Sequence, residues 1–78
     1  MRITDFKVAY QNLNSEMIVC LLMASTFENG YWKHYHAIPC RVVNITPSEI
    51  NLQFCNNSDT WHRIDKKNLE SGQFGLEF

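Results

Sequence analysis

The chain reads as mainly β within an α+β plan: a short N-terminal helix followed by a small five-stranded barrel. Three observations predict this. Asn29-Gly30 stands between two apolar runs, residues 17–24 and 31–38, and Asn-Gly supplies the positive-φ pair of a tight type I′ hairpin turn. Ile50, Leu52 and Phe54 alternate with Asn51, Gln53 and Cys55, the two-residue period of a half-buried strand. The 78 residues, 45% hydrophobic and 19% charged, suffice for one packed domain over 1–78 and leave no room for a second core.

The elements follow in order. Ile3, Phe6, Tyr10 and Leu13 recur at helical spacing, with Thr4 or Asp5 as N-cap and Asn14 as a stop, which predicts a helix within residues 1–14. Phe6, Val8 and Tyr10 also alternate, so an edge strand is the alternative there. Residues 12–15 are a polar break, and the barrel takes residues 16–78. Residues 17–24 have no polar face, which predicts a strand buried on both sides. A helix over 4–24 competes, but β-branched Ile18-Val19 and the hairpin signal after them favour the strand. Residues 31–46 are long for one strand. Pro39, which has no N–H to give, marks an edge position, a bulge or a corner. Thr46-Pro47-Ser48-Glu49 is turn chemistry. After the alternating strand comes a polar turn, Asn56-Asn57-Ser58-Asp59, and then another strand over 60–65. Residues 66–72 suit one 3₁₀ turn ended by Gly72, and residues 74–78 add a strand that closes the barrel. Closure would remove edges that a domain this small has few means to protect.

From His36 to Phe74 the chain resembles the second half of SH3-like and Sm-like barrels. The resemblance rests on Ile38-Pro39, Val42-Val43, Ile50-Asn51-Leu52 and above all His62-Arg63-Ile64-Asp65-Lys66-Lys67-Asn68-Leu69-Glu70-Ser71. The strand end Arg63-Ile64-Asp65 is similar to that of the WYL-type and Rho-inhibitor-type small barrels. Those barrels have a Trp-Tyr-Leu triplet that this chain lacks, and Lys66 to Asn68 form an insertion relative to them. The resemblance implies a strongly bent barrel.

Net charge is −1, so no global field advertises nucleic acid, a membrane or an acidic substrate. The distribution is uneven. Residues 1–30 carry two cations against three carboxylates, whereas residues 31–67 carry five against three and all three histidines. Cys20, Cys40 and Cys55 are an odd set with no C-x-x-C pair, which predicts free buried thiols in a reducing compartment. The first residues lack a basic-then-apolar leader pattern, and the longest apolar run is far short of the roughly 20 residues a membrane helix needs. A cytoplasmic protein is expected. A domain of this size is thinly stabilised, so homo-oligomerisation is an open expectation.

Two clusters carry the candidate chemistry. In Tyr31-Trp32-Lys33-His34-Tyr35-His36, strand alternation puts Trp32, His34 and His36 on one face and Tyr31, Lys33 and Tyr35 on the other. In Trp61-His62-Arg63, Ile64 points to the core and takes His62 to its side, leaving Trp61 beside Arg63 outside. That pairing is the composition of an interface hot spot. With Arg41, the expected partner-binding set is Trp32, Lys33, His34, Tyr35, His36, Arg41, Trp61, His62 and Arg63.

The first function these predict is a non-enzymatic regulator or inhibitor docking on a larger protein, of a size suited to a mobile element's host-directed protein. The alternative is a barrel binding RNA or single-stranded DNA, with bases stacked on the aromatics and phosphates held by Lys33, Arg41, Arg63, Lys66 and Lys67. Near-zero net charge tells against it. His34, His36, Cys40 and His62 are ligand types zinc accepts, but their spacing matches no zinc motif, so neither metal nor cofactor is expected. Cys40 with His36 or His62 does not make a nucleophilic pair, because the cysteines sit in apolar strands. No glycine-rich phosphate loop is present. The chain is not expected to be an enzyme.

Overall fold

The computed structural model describes residues 2–78, and the side chains of all of these except Ala24 and Ser25. Ala24, the last residue of the apolar run at 17–24, thus lies outside the described side chains. The elements are β1 (Arg2–Ile3), α1 (Phe6–Asn12), β2 (Ile18–Glu28), β3 (Tyr31–Ile45), β4 (Glu49–Phe54), β5 (Asn57–Asp65), α2 (Lys66–Glu70) and β6 (Gly75–Glu77). The strands form one antiparallel sheet in the order β1-β6-β2-β3-β4-β5.

The N-terminal helix begins where Asp5 accepts the backbone N–H groups of Lys7 (2.8 Å) and Val8 (3.3 Å), satisfying donors a helix start leaves free. It buries Phe6 and Ala9, and Leu13 at its C-cap. Tyr10, expected on that stripe, is exposed, because the small Ala9 takes the core-facing position. The edge-strand alternative is overturned, since Phe6, Val8 and Tyr10 all lie in α1 and the two-residue β1 precedes them.

Asn29 and Gly30 both have positive φ (52° and 85°), as the tight turn demands. Their hairpin pairs β2 with β3 from Glu28↔Tyr31 out to Ile18↔Arg41. Val19 and Leu21 face the core, yet Ile18 is exposed and Cys20 and Leu22 are half-buried. The strand is therefore buried on one side and not on both. Phe6, Ala9 and Leu13, together with Leu69 of α2, join the core on that one side only.

A straight strand of fifteen residues would span about 46 Å at ~3.3 Å per residue. The longest principal extent of the molecule is 35 Å, so β3 runs a bent course. Two features bend or limit it. Register with β4 shifts between Val42 and Asn44, leaving Val43 as the extra residue of a bulge. The Pro39 carbonyl accepts the Cys55 N–H at 3.0 Å, so Pro39 turns its nitrogen to the β4 side just past the last pair, Cys40↔Phe54. Its missing N–H therefore costs no bond to β2. Beyond this point, among the described residues, β3 has only β2 beside it, and β2 pairs with β6 only at residues 20–22. Met23 to Ile38 thus project as a two-stranded arm.

After β5 the chain forms a five-residue α-helix where a 3₁₀ turn was expected. A reciprocal capping box holds it: Asp65 accepts the Asn68 N–H at 2.8 Å, and the Asn68 side chain accepts the Asp65 N–H at 3.0 Å. Gly72, at φ 87°, follows as the turn residue.

The sheet is not a closed barrel. The last strand pairs with β2 and with β1, so β1 occupies the edge that closure would have needed, and among the described residues β1 and β5 do not pair. One core, centred on Leu21, Val42, Ile50, Leu52, Ile64, Leu69 and Leu76, fills the covered side.

Candidate interaction surface

The uncovered face of the sheet carries one continuous rung. Ile18 lies opposite Arg41, Arg41 opposite Gln53, and Gln53 opposite Trp61, so four directly facing residues cross β2, β3, β4 and β5. Its two ends are apolar and open: Ile18 is 57% and Trp61 54% exposed. Its centre is locked. The Arg41 Nε and Nη2 groups donate to Gln53 Oε1 at 3.2 and 2.6 Å, and Nη1 donates to Glu16 Oε1 at 2.6 Å. Gln53 in turn donates to the Ser58 carbonyl at 2.7 Å. The guanidinium is thus held flat and half-buried between two exposed apolar groups, losing little rotamer freedom if a partner covers it.

The arm extends this face. Tyr35, 53% exposed, hydrogen-bonds through its hydroxyl to Thr26 Oγ1 at 3.2 Å, and the Lys33 ammonium lies 5.8 Å from its ring centroid. On the opposite side of the arm Phe27 and Trp32 face one another across the strands and pack edge to face at 5.3 Å.

The nine expected residues therefore do not form one surface. Lys33, Tyr35, Arg41, Trp61 and Arg63 lie on the uncovered face, where Arg63 pairs with Glu49 at 3.5 Å. Trp32, His34, His36 and His62 lie on the other. His34 ties the arm to the body by bonding to the backbone at Gly72, and His36 is exposed. His62 stands apart from the other expected partner-binding residues: on Ile64's side of the strand, opposite Leu52, it turns inward and packs on Phe74 with ring centroids 4.5 Å apart. Its Nε2 is buried without a hydrogen-bond partner, and burial holds its pKa below the usual histidine value.

The three cysteines do not share one environment. Cys40 is buried and its thiol is pushed up to about 11, first by burial and then by the neighbouring Cys55 and Cys20. Cys20 is half-buried and Cys55 exposed, which corrects the expectation of three buried thiols. Among the described residues, no three His, Cys, Asp or Glu side chains converge as metal ligands do. No helix among the described residues is long and apolar enough to cross a membrane.

Sequence reasoning missed Ile18 and Gln53 as members of the rung. The signal was present: counting pairs back from Asn29-Gly30 puts Ile18 against Arg41. Comparison with known protein families, with curated proteins and with solved structures finds no match to this chain.

Proposed function

We propose that the protein is a non-enzymatic regulatory module that docks on a larger protein through the uncovered face of its sheet. One observation carries this reading: the Ile18–Arg41–Gln53–Trp61 rung, with Tyr35 beyond it, sets exposed apolar anchors around a pre-positioned guanidinium. Trp, Tyr and Arg are the residues that dominate binding energy at protein interfaces, particularly where neighbouring contacts exclude water from them. The module inhibits or redirects its partner by covering a site on it. The strand order β6-β2-β3-β4-β5, with α2 directly before the last strand, supports keeping the SH3-like or Sm-like resemblance in this proposal as a partly open relative of those barrels.

The test is affinity capture from cytosolic extract, in nuclease-treated and untreated halves, with wild-type protein and a Tyr35→Ser/Trp61→Ala variant. A protein that survives nuclease in stoichiometric amount and is lost with the variant is the expected result. Capture of the same proteins by both forms sinks the reading. Recovery of RNA or DNA, with every protein vanishing on nuclease treatment, replaces it with the nucleic-acid alternative.

A further inference from the structure

Along the edge of β3 that faces away from β2 in the arm, where side chains of both faces meet, there is a second, chemically different feature. Three distant stretches of chain wall a cleft of about 510 Å³: Arg2; Tyr31 to His34; and Ser71 with Gly72. Its charge is of one sign. Arg2 and Lys33 line it and no carboxylate does, in a chain whose net charge is −1. Neither cation is neutralised, for the ion pairs among the described residues are Arg41–Glu16 and Arg63–Glu49.

The cleft is also pre-built. His34 Nε2 faces two backbone carbonyls, those of Gly72 at 2.8 Å and Gln73 at 3.1 Å. Carbonyls only accept, so Nε2 carries the hydrogen. Nδ1 of the neutral ring is then an acceptor, and Arg2 Nη2 donates to it at 3.1 Å. This chain of bonds fixes one end of the Arg2 guanidinium and leaves its remaining N–H groups for a ligand. Trp32, braced by Phe27, stands beside Gly72, where a Cβ would come to 3.7 Å from its ring. An aromatic wall and two unneutralised cations therefore meet in one place.

We propose that this cleft binds an acidic segment of a protein partner. One Asp or Glu carboxylate would lie on Arg2 and Lys33, with an apolar neighbour against Tyr31 and Trp32. A single carboxylate fits better than a polyanion. Glu28 stands opposite Tyr31 and Glu77 opposite Arg2 in strand register, so a phosphodiester chain passing through would meet acidic residues beside the cleft. The site shares Lys33 with the uncovered face but none of its lining residues belongs to the rung, and its test is separate too.

The experiment is an NMR titration of the ¹⁵N-labelled chain with a short acetylated, amidated peptide carrying a single Glu-Phe pair, its Gln-Phe counterpart, and a short oligothymidylate. The Glu-Phe peptide is expected to shift the Gly72 amide and Trp32 indole signals and to bind about tenfold more tightly than Gln-Phe, as a charge-assisted contact requires. Lys33→Gln is expected to remove that advantage without changing the unfolding midpoint, since the Lys33 ammonium packs only loosely on Tyr35. Trp61→Ala, in the rung and outside the cleft, should bind the peptide as wild type does. Equal affinity for the two peptides, no shift at millimolar peptide, or tighter binding of oligothymidylate overturns the proposal. So does an equal loss in Trp61→Ala, which would place the peptide on the rung instead.

Discussion

His62 is a weak base held where its charged form is poorly solvated, and that has a sign. The folded protein lowers its pKa below the ordinary 6.5 because burial disfavours the imidazolium. The unfolded chain then binds more protons on the acid side, so stability rises with pH. The contribution is intact above about pH 6.5 and is lost as pH falls from there towards the lowered folded value. Urea midpoints should therefore drop between about pH 7.5 and about pH 5.5, and His62→Phe, which keeps the packing on Phe74, should flatten that slope. An unchanged slope would show that other groups set it. The neighbouring positions separate along the same strand. Trp61→Ala should leave the unfolding midpoint nearly unchanged, while Ile64→Ala, fully buried, should lose roughly 2–5 kcal/mol. This alternation was legible in the sequence, since Ile64 facing the core dictates the side of every neighbour. Thiol chemistry divides the cysteines too. A thiol reagent at mildly alkaline pH should label the exposed Cys55 first and Cys40 only on unfolding, and Cys55→Ser should remove the fast phase.

At the scale of elements, the parts with a local cause were the readable ones. Asn29-Gly30 specified its turn, and Asp5 specified the start of α1, because each acts on a backbone only a few residues away. The capping box of α2 was just as local and was still missed. Asn68 stands where the familiar pattern has Glu or Gln, although its amide oxygen accepts the same backbone N–H. The box has a measurable weight. Asp65→Ala should cost about 0.5–2 kcal/mol by denaturant melt, because it frees the Asn68 N–H at a helix too short to persist alone. It should also loosen the Gly72 turn that receives His34, seen as a changed Gly72 amide signal. A wild-type melt with an unmoved Gly72 would mean that packing of Leu69 alone holds α2.

The whole molecule shows what one dimension of sequence conceals. Whether the sheet closes depends on which edge the final strand reaches, and nothing within residues 74–78 specifies β2 and β1 over β5. The cleft was hidden for a similar reason: Arg2 and His34 are 32 residues apart, and His34 and Gly72 are 38. Of the rung, only the Ile18–Arg41 pair followed from turn-based register; Gln53 and Trp61 join it across register shifts at Val43 and at Gln53/Phe54 that no count from a turn supplies. The open plan predicts an uneven stability. Met23 to Ile38 pair with each other alone, and two-stranded ribbons are marginal in water, so deuterium should enter the arm well before it enters Val42 or Leu52. Uniform protection would show that the His34 and Trp32 attachments make arm and body one cooperative unit. The same independence makes the arm a spacer of adjustable length. Adding two residues to each strand keeps every other side chain on its original side and moves the Asn29-Gly30 tip by about 7 Å. An insertion made on the tip side of the Phe27–Trp32 pair leaves the core and the carbonyls of Gly72 and Gln73 where they are. The tip is thus a graft point, where foreign sequence could be displayed at a chosen distance from an unaltered base.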